Sequence, residues 1–308
     1  MKFKGYLCAA LAAAAYGTNP LFAVNLYQHG MNANSVLIFR YLLTLPLLVL
    51  MITVRGRSLR LKSNEIFPAC ILGVLMALSS LSLFESYNYM NSGIASTLLF
   101  VYPVMVALMM TFFFKEKFKP TTGVCLAIMG VGLFLTMRNS SGETLNTFGV
   151  ILVMVSSLTY ALYIIMVNVN RSVREIATLP LLFYVFLSGS CVFLVMIPFG
   201  NPLTLPTQVS DWGYLLALAV IPSVLSLSCT TIAIQKVGPT TTAIFGALEP
   251  VTALILSVLA LNQSVTGREL AGAALILIAT TLTVIGDNAE SAILHVRKMF
   301  PSLRKHHK

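Results

Sequence analysis

The sequence predicts an all-α polytopic membrane protein whose ten transmembrane helices form two inverted-topology five-helix repeats. Three observations carry that expectation. The mean hydropathy is +0.87, with 57% hydrophobic and only 10% charged residues, against roughly 25% charged in a soluble domain. The chain falls into ten apolar stretches, most of about 20 residues, the length that crosses a hydrocarbon core. Finally, an apolar pattern recurs 147 positions on: Ser92 to Thr97, Pro103 and Glu116 are answered by Pro239 to Ala243, Pro250 and Gln263. The basic residues do not copy with that pattern but change sides, which is how an inverted repeat reads.

The expected spans of the first repeat are Gly5 to Leu26, Asn34 to Val54, Ile66 to Tyr89, Gly93 to Phe114 and Pro120 to Met137. The first resembles a signal peptide, with Lys2 and Lys4 before an Ala-rich core. It nevertheless continues past Pro20 with no polar cleavage region, and the repeat requires it as a helix. The second repeat is expected at Phe148 to Val169, Thr178 to Pro198, Trp212 to Ile234, Thr240 to Leu261 and Gly267 to Ile285. The organisation is therefore a first unit at 1–138, a short external linker at 139–147, a second unit at 148–286 and a basic tail at 287–308.

Lys and Arg orient the chain. With a cytoplasmic N-terminus, inner segments hold Lys2 and Lys4, Arg55 to Lys62, Lys115 to Lys119, Arg171 and Arg174, Lys236, and the basic residues of the tail. The outer loops hold only Arg138 and Arg268. This is a strong positive-inside bias, and it puts both termini in the cytoplasm of an inner (plasma) membrane protein. The formal net charge of +10 is thus topological, and no basic face with interleaved aromatics points to nucleic acid.

Several candidate residues follow from depth. At about 1.5 Å rise per residue, Glu249 lies roughly 14 Å beyond Thr240, near the bilayer centre, with Tyr102 as its counterpart. Pro250 and Pro103 follow directly and are expected to kink their helices. A carboxylate at that depth is costly and marks a pathway, a proton relay or a paired charge. Two readings of Glu249 fit: substrate contact or proton carrier on one side, and a protonated group holding two helices together on the other. Arg40, Glu85 and Asn19 sit at similar depths below the outer ends of their helices. That suggests an Arg40–Glu85 ion pair, either a fixed gate or a bond released when Arg40 takes a substrate carboxylate.

Polar stripes suggest a central cavity: Ser79, Ser82, Ser86 and Tyr89; Ser228, Thr231 and Gln235; Ser156, Tyr160 and Tyr163. Buried tyrosine hydroxyls need partners, so Tyr102, Tyr160 and Tyr163 are candidates for a pocket wall. Ala9, Ala13, Gly123, Gly130 and Gly132 read as close-packing positions. The five cysteines lie in apolar runs at no metal or redox spacing. There is no phosphate loop, zinc spacing or nucleophile elbow, so neither an enzyme nor an ATP-driven pump is expected, and no cofactor or metal is implied.

The two five-helix halves, the mid-helix Pro103 and Pro250, and Glu116 opening the next helix resemble the EamA-type transporters of the drug/metabolite transporter superfamily. Arg40 and the run Tyr16-Gly17-Thr18-Asn19-Pro20 match as well, over about Gly5 to Ile285. Two departures concern cargo: Gln263 stands where the family often has an acid, and Tyr16 where a Trp is common. The resemblance implies a secondary transporter exporting a small metabolite by alternating access, with Tyr16 and Asn19 among the binding residues. A zwitterion such as an amino acid would suit Glu249 and Arg40 together. A hydrophobic-cation or multidrug carrier, with Arg40 structural, is the alternative. The expected partners are a small-molecule substrate and the lipid bilayer; a proton or exchanged solute as coupling species, and a second copy of the chain in a homodimer, stay open.

Overall fold

The computed structural model describes residues 2–114, 120–136, 146–199, 202–237, 242, 245–279 and 281–282. Glu116, most of the 139–147 linker, Thr240 and the 287–308 tail lie outside the described residues, as do the side chains of Thr231 and Gln235.

Among the described residues every regular element is helical, which is what a chain without water to satisfy its peptide groups requires. The first apolar stretch is not one helix but two, α1 (Lys2–Tyr16) and α2 (Asn19–Gln28), with a break at Gly17–Thr18. Long α3 (Ala33–Val54) and α4 (Ser63–Ser86) follow. The fourth stretch breaks at Phe100–Val101 into α5 (Ser92–Leu99) and α6 (Tyr102–Phe114), and α7 (Pro120–Thr136) closes the first half. The second half opens with an unbroken α8 (Thr147–Val169), a single turn α9 (Arg171–Arg174) and α10 (Thr178–Met196). Next, α11 (Val209–Leu218) passes through a π-helical segment, Ala219–Leu225, into α12 (Ser226–Val237). The ninth stretch has a turn at Gly246–Ala247 before α13 (Leu248–Leu259), and residues 267–279 form α14. Among the described residues seven helical spans, three of them running across a break or the π segment, are long and apolar enough to cross a membrane, so the chain is a multi-pass membrane protein.

Asparagine side chains start many of these helices. Asn32 Oδ1 accepts from the Ser35 amide at 2.8 Å, Asn91 caps α5 and Asn146 caps α8, each satisfying amides that have no partner in the helix. The main packing pairs are α1 with α12, α4 with α8, α3 with α10, α4 with α10, and α5 with α13. Further contacts join the π segment to α3, α6 to α8 and α1 to α13. Close approach is built from small residues. A Cβ on Gly17 would lie 2.5 Å from the Glu249 carbonyl oxygen, and one on Gly93 would lie 2.7 Å from Leu254 Cα.

One end of the bundle is laced by hydrogen bonds between helix ends and loops. Asp211, fully buried, accepts His29 Nδ1 at 2.6 Å and the Thr207 and Gln208 amides at 2.9 Å. Asn32 donates through Nδ2 to the Pro202 carbonyl at 2.7 Å and through its amide to Thr204 Oγ1 at 3.1 Å. Gln263 Oε1 accepts from the Ser92 amide and hydroxyl at 3.1 and 3.0 Å, at the start of α5.

Candidate functional site

Proline shapes the interior. Each proline in a helix lacks an N–H and leaves the carbonyl four residues earlier without its helical partner. Three such carbonyls belong to Tyr16, Leu99 and Gly246, which line one cavity, a fourth belongs to Leu218, joined to the cavity through Ser223 and Arg40, and each has a substitute donor. Pro20 frees the Tyr16 carbonyl, which accepts Asn19 Nδ2 at 2.8 Å. Pro103 frees that of Leu99, which accepts Ser157 Oγ from α8 at 3.1 Å. Pro222 frees that of Leu218, which accepts Ser223 Oγ at 3.1 Å. Pro250 frees that of Gly246, which accepts the Glu249 amide at 2.9 Å. Pro103 and Pro250 therefore accompany breaks, with helices restarting at Tyr102 and Leu248, rather than the expected kinks in continuous helices.

The cavity between these breaks has a volume of about 360 Å³. Its lining includes Tyr16, Asn19, Arg40, Tyr102, Tyr160 and Glu249, which the sequence singled out on separate helices. It runs from Phe84 and Arg40, in the half nearest His29 and Asp211, to Ala9, Thr230 and Thr242 in the other half. Over the first end the Tyr27 hydroxyl donates to the Phe84 carbonyl at 3.0 Å.

Asn19 is 4% exposed, and its Oδ1 has no hydrogen-bond partner among the described residues. With Nδ2 held by the Tyr16 carbonyl, that oxygen is left as an acceptor at the cavity wall. Glu249 stands in the first turn of α13, at the positive end of the helix dipole. It is half-buried and has no ion-pair or hydrogen-bond partner for its carboxyl among the described residues. Arg40, 4% exposed, donates from Nε to Ser223 Oγ at 3.3 Å and lies 5.5 Å from the Phe84 ring centroid. Aromatic rings form one wall: Tyr102 meets Tyr160 edge-on at 4.7 Å, and Tyr160 stacks on Tyr163 at 5.9 Å.

Not every expected residue arrives there. Tyr163 sits behind Tyr160, packed against the cluster of Ala69, Leu72 and Val185. The structure does not bring Arg40 and Glu85 together. Ion pairs among the described residues join His29 to Asp211, Lys62 to Glu65 and Arg171 to Glu175. Phe84 faces the guanidinium instead, and the next residue on a helix points nearly a third of a turn away. The polar stripe on α4 is likewise rotated: Met76, Ser79, Ser80, Leu83 and Phe84 line the cavity. Ser86 bonds the Leu83 carbonyl and Tyr89 packs edge-on against Phe148. On α12 the lining is Ser226, Leu227 and Thr230, not Ser228. Ala9 and Ala13, expected only to pack, line the cavity with Ala12. Gln263 takes part in the hydrogen bonds at the laced end, through the Ser92 amide and hydroxyl. Sequence reasoning missed Ser223 and the His29–Asp211 contact; the Pro222-Ser223 pair was the available signal for the first.

Comparisons with known proteins agree with this architecture. An uncharacterized transporter of Synechocystis sp. is 27% identical over 247 residues, covering 78% of this chain and 70% of that protein. An uncharacterized transporter of Archaeoglobus fulgidus is 24% identical over 246 residues, covering 76% of this chain and 82% of its own. A solved crystal structure shares the fold with a TM-score of 0.62 at 16% identity, covering 91% of this chain and 97% of that one. The sequence profile of the EamA-like transporter family matches twice, over residues 3–138 and again over 147–285. The cavity thus lies inside a membrane transporter and not an enzyme, and the chain belongs to the EamA-like transporter family.

Proposed function

We propose that this chain is a ten-helix carrier that moves a small zwitterionic metabolite, an amino acid, outward across the inner membrane by alternating access. The observation that carries this reading is one cavity holding a buried guanidinium, with an amide oxygen and a carboxyl that have no partner among the described residues and tyrosine walls between them. Arg40 takes the carboxylate of the solute, Glu249 and Asn19 take its ammonium, and the rings of Tyr16, Tyr102 and Tyr160 take an apolar side chain. The two family matches support two repeats, 1–138 and 148–286, joined by the 139–147 linker and followed by the 287–308 tail.

The packing supports their inversion. Numbering the stretches one to ten, α1 on α12 joins the first to the eighth, and α4 on α8 joins the third to the sixth. Advancing each member by five, cyclically, converts one pair into the other. The pairs α3–α10 and α5–α13 map onto themselves. Five helices is an odd number, so such repeats cross in opposite directions, and the positive-inside charges then leave both termini cytoplasmic. In that orientation the laced end carrying His29 and Asp211 is the outer one, and this conformation is closed outward.

The second reading, a hydrophobic-cation carrier, is favoured by the unpartnered Glu249 beside aromatic walls, a setting that suits a cation. Uptake of a labelled amino-acid panel into proteoliposomes separates the two when native protein is compared with Arg40→Lys. Saturable amino-acid uptake that falls sharply in the variant supports the zwitterion reading, because lysine loses the planar fork. Uptake of lipophilic cations instead, indifferent to Arg40→Lys, would favour the cation reading.

A further inference from the structure

Arg40 has no carboxylate partner among the described residues, yet its guanidinium is held from two sides. Phe84 lies against its face and Ser223 Oγ accepts its Nε at 3.3 Å. Ser223 is 2% exposed and occupies the π segment Ala219–Leu225, directly after Pro222. Its hydroxyl has one proton, and that proton goes to the Leu218 carbonyl, whose α-helical donor Pro222 removes. With the hydrogen committed, the oxygen lone pairs are left to accept from Arg40. A π bulge of this kind is frequent at functional sites, and here it turns a proline defect into an acceptor aimed at a cationic side chain.

We infer that Ser223 is a positioning residue for Arg40: by occupying Nε it fixes the guanidinium so that the terminal Nη edge, and not the Nε side, meets a carboxylate in the cavity. Arginine binds carboxylates bidentately either through its Nη pair or through Nε and one Nη. Ser223 removes the second mode and sets the angle at which the solute enters. Pro222 and Ser223 thereby join the backbone of the eighth stretch to cargo selection, so that any change in the π segment is felt at Arg40. This rests on the reading of Arg40 as the carboxylate contact.

The test is transport of labelled leucine into proteoliposomes by native protein, Ser223→Ala, Ser223→Thr, Arg40→Lys and the double variant Ser223→Ala/Arg40→Lys. Isoamylamine, which keeps the amine and side chain of leucine without the carboxylate, serves as competitor. Ser223→Ala should raise the KM for leucine about fivefold, the scale of one lost hydrogen bond, at unchanged maximal rate. Inhibition by isoamylamine should not move, Ser223→Thr should restore the KM, and Ser223→Ala should add nothing in the Arg40→Lys background. A native KM in Ser223→Ala alongside a damaged Arg40→Lys overturns the role of Ser223 and leaves the carboxylate reading standing. A fall in maximal rate with equal loss of both compounds, not restored by threonine, also overturns it, in favour of packing. Full leucine transport by Arg40→Lys, or none by native protein, overturns the carboxylate reading and this assignment with it. Should Ser223→Ala not reach the membrane, Ser223→Cys carries the same comparison, since a thiol still donates weakly to Leu218 but accepts poorly from Nε.

Discussion

The helix breaks just ahead of Tyr102-Pro103 and Glu249-Pro250 occupy nearly matching places in the two halves of the chain, yet they are secured differently. In the first half the freed Leu99 carbonyl is taken by Ser157 from α8, a side chain of the other half. In the second half the freed Gly246 carbonyl is taken by the Glu249 amide of its own helix. The first break is tied to a neighbour, whereas the second is closed by its own backbone and carries a carboxyl with no partner among the described residues. The same proline device is therefore anchored by a neighbouring helix in one half and, on the proposed reading, presents a binding carboxyl in the other. What distinguishes them is a pair of side chains, Ser157 and Glu249, and not the backbone that presents them.

That contrast can be broken in order of effect. Replacing Glu249 by its counterpart, Glu249→Tyr, removes the carboxyl and should lower amino-acid uptake in proteoliposomes by at least about tenfold, the scale of a lost charged hydrogen bond. Tyr102→Phe, the loss of a hydroxyl on the other side, should cost no more than a few fold. Gly17→Val forces atoms against the Glu249 carbonyl and Thr252; it should destabilise the purified carrier by about 1–3 kcal/mol in a thermal or denaturant assay. Ser157→Ala leaves the Leu99 carbonyl unsatisfied and should cost about 1–2 kcal/mol, with leucine KM changed little. Tyr163→Phe should leave uptake kinetics at native values, because its ring stands behind Tyr160. A Tyr163→Phe defect as large as that of Tyr102→Phe would mean the cavity extends past the aromatic wall.

Much of the fold was legible because hydropathy and length report directly on membrane crossing. The ends of α3, α8 and α10 fall within a few residues of the expected ones. Pro103 and Pro250 marked where two helices are disturbed, since proline's missing donor acts through its own helix, but as kinks rather than breaks, and the break ahead of Pro20 was not expected. Which face of a helix meets the cavity was not legible. Serines on α4 and α12 serve helix contacts as readily as solute, and alanines line a cavity by being small. Ser79 does both, facing the cavity while bonding Ser156 at 3.1 Å. The partner of Arg40 was missed for the same reason: equal depth brings Glu85 level with it, but rotation of α4 offers Phe84. The His29–Asp211 contact joins residues 182 positions apart, with no periodicity to announce it.

The central claim is that Glu249 and Arg40 bind one solute in one cavity. Counterflow of labelled leucine in proteoliposomes, comparing native protein with Glu249→Gln at equal folded content, tests it most directly. Saturable exchange in the native protein that is lost in Glu249→Gln is the expected result. Equal exchange by both proteins would contradict it and return Glu249 to a structural role at the start of α13.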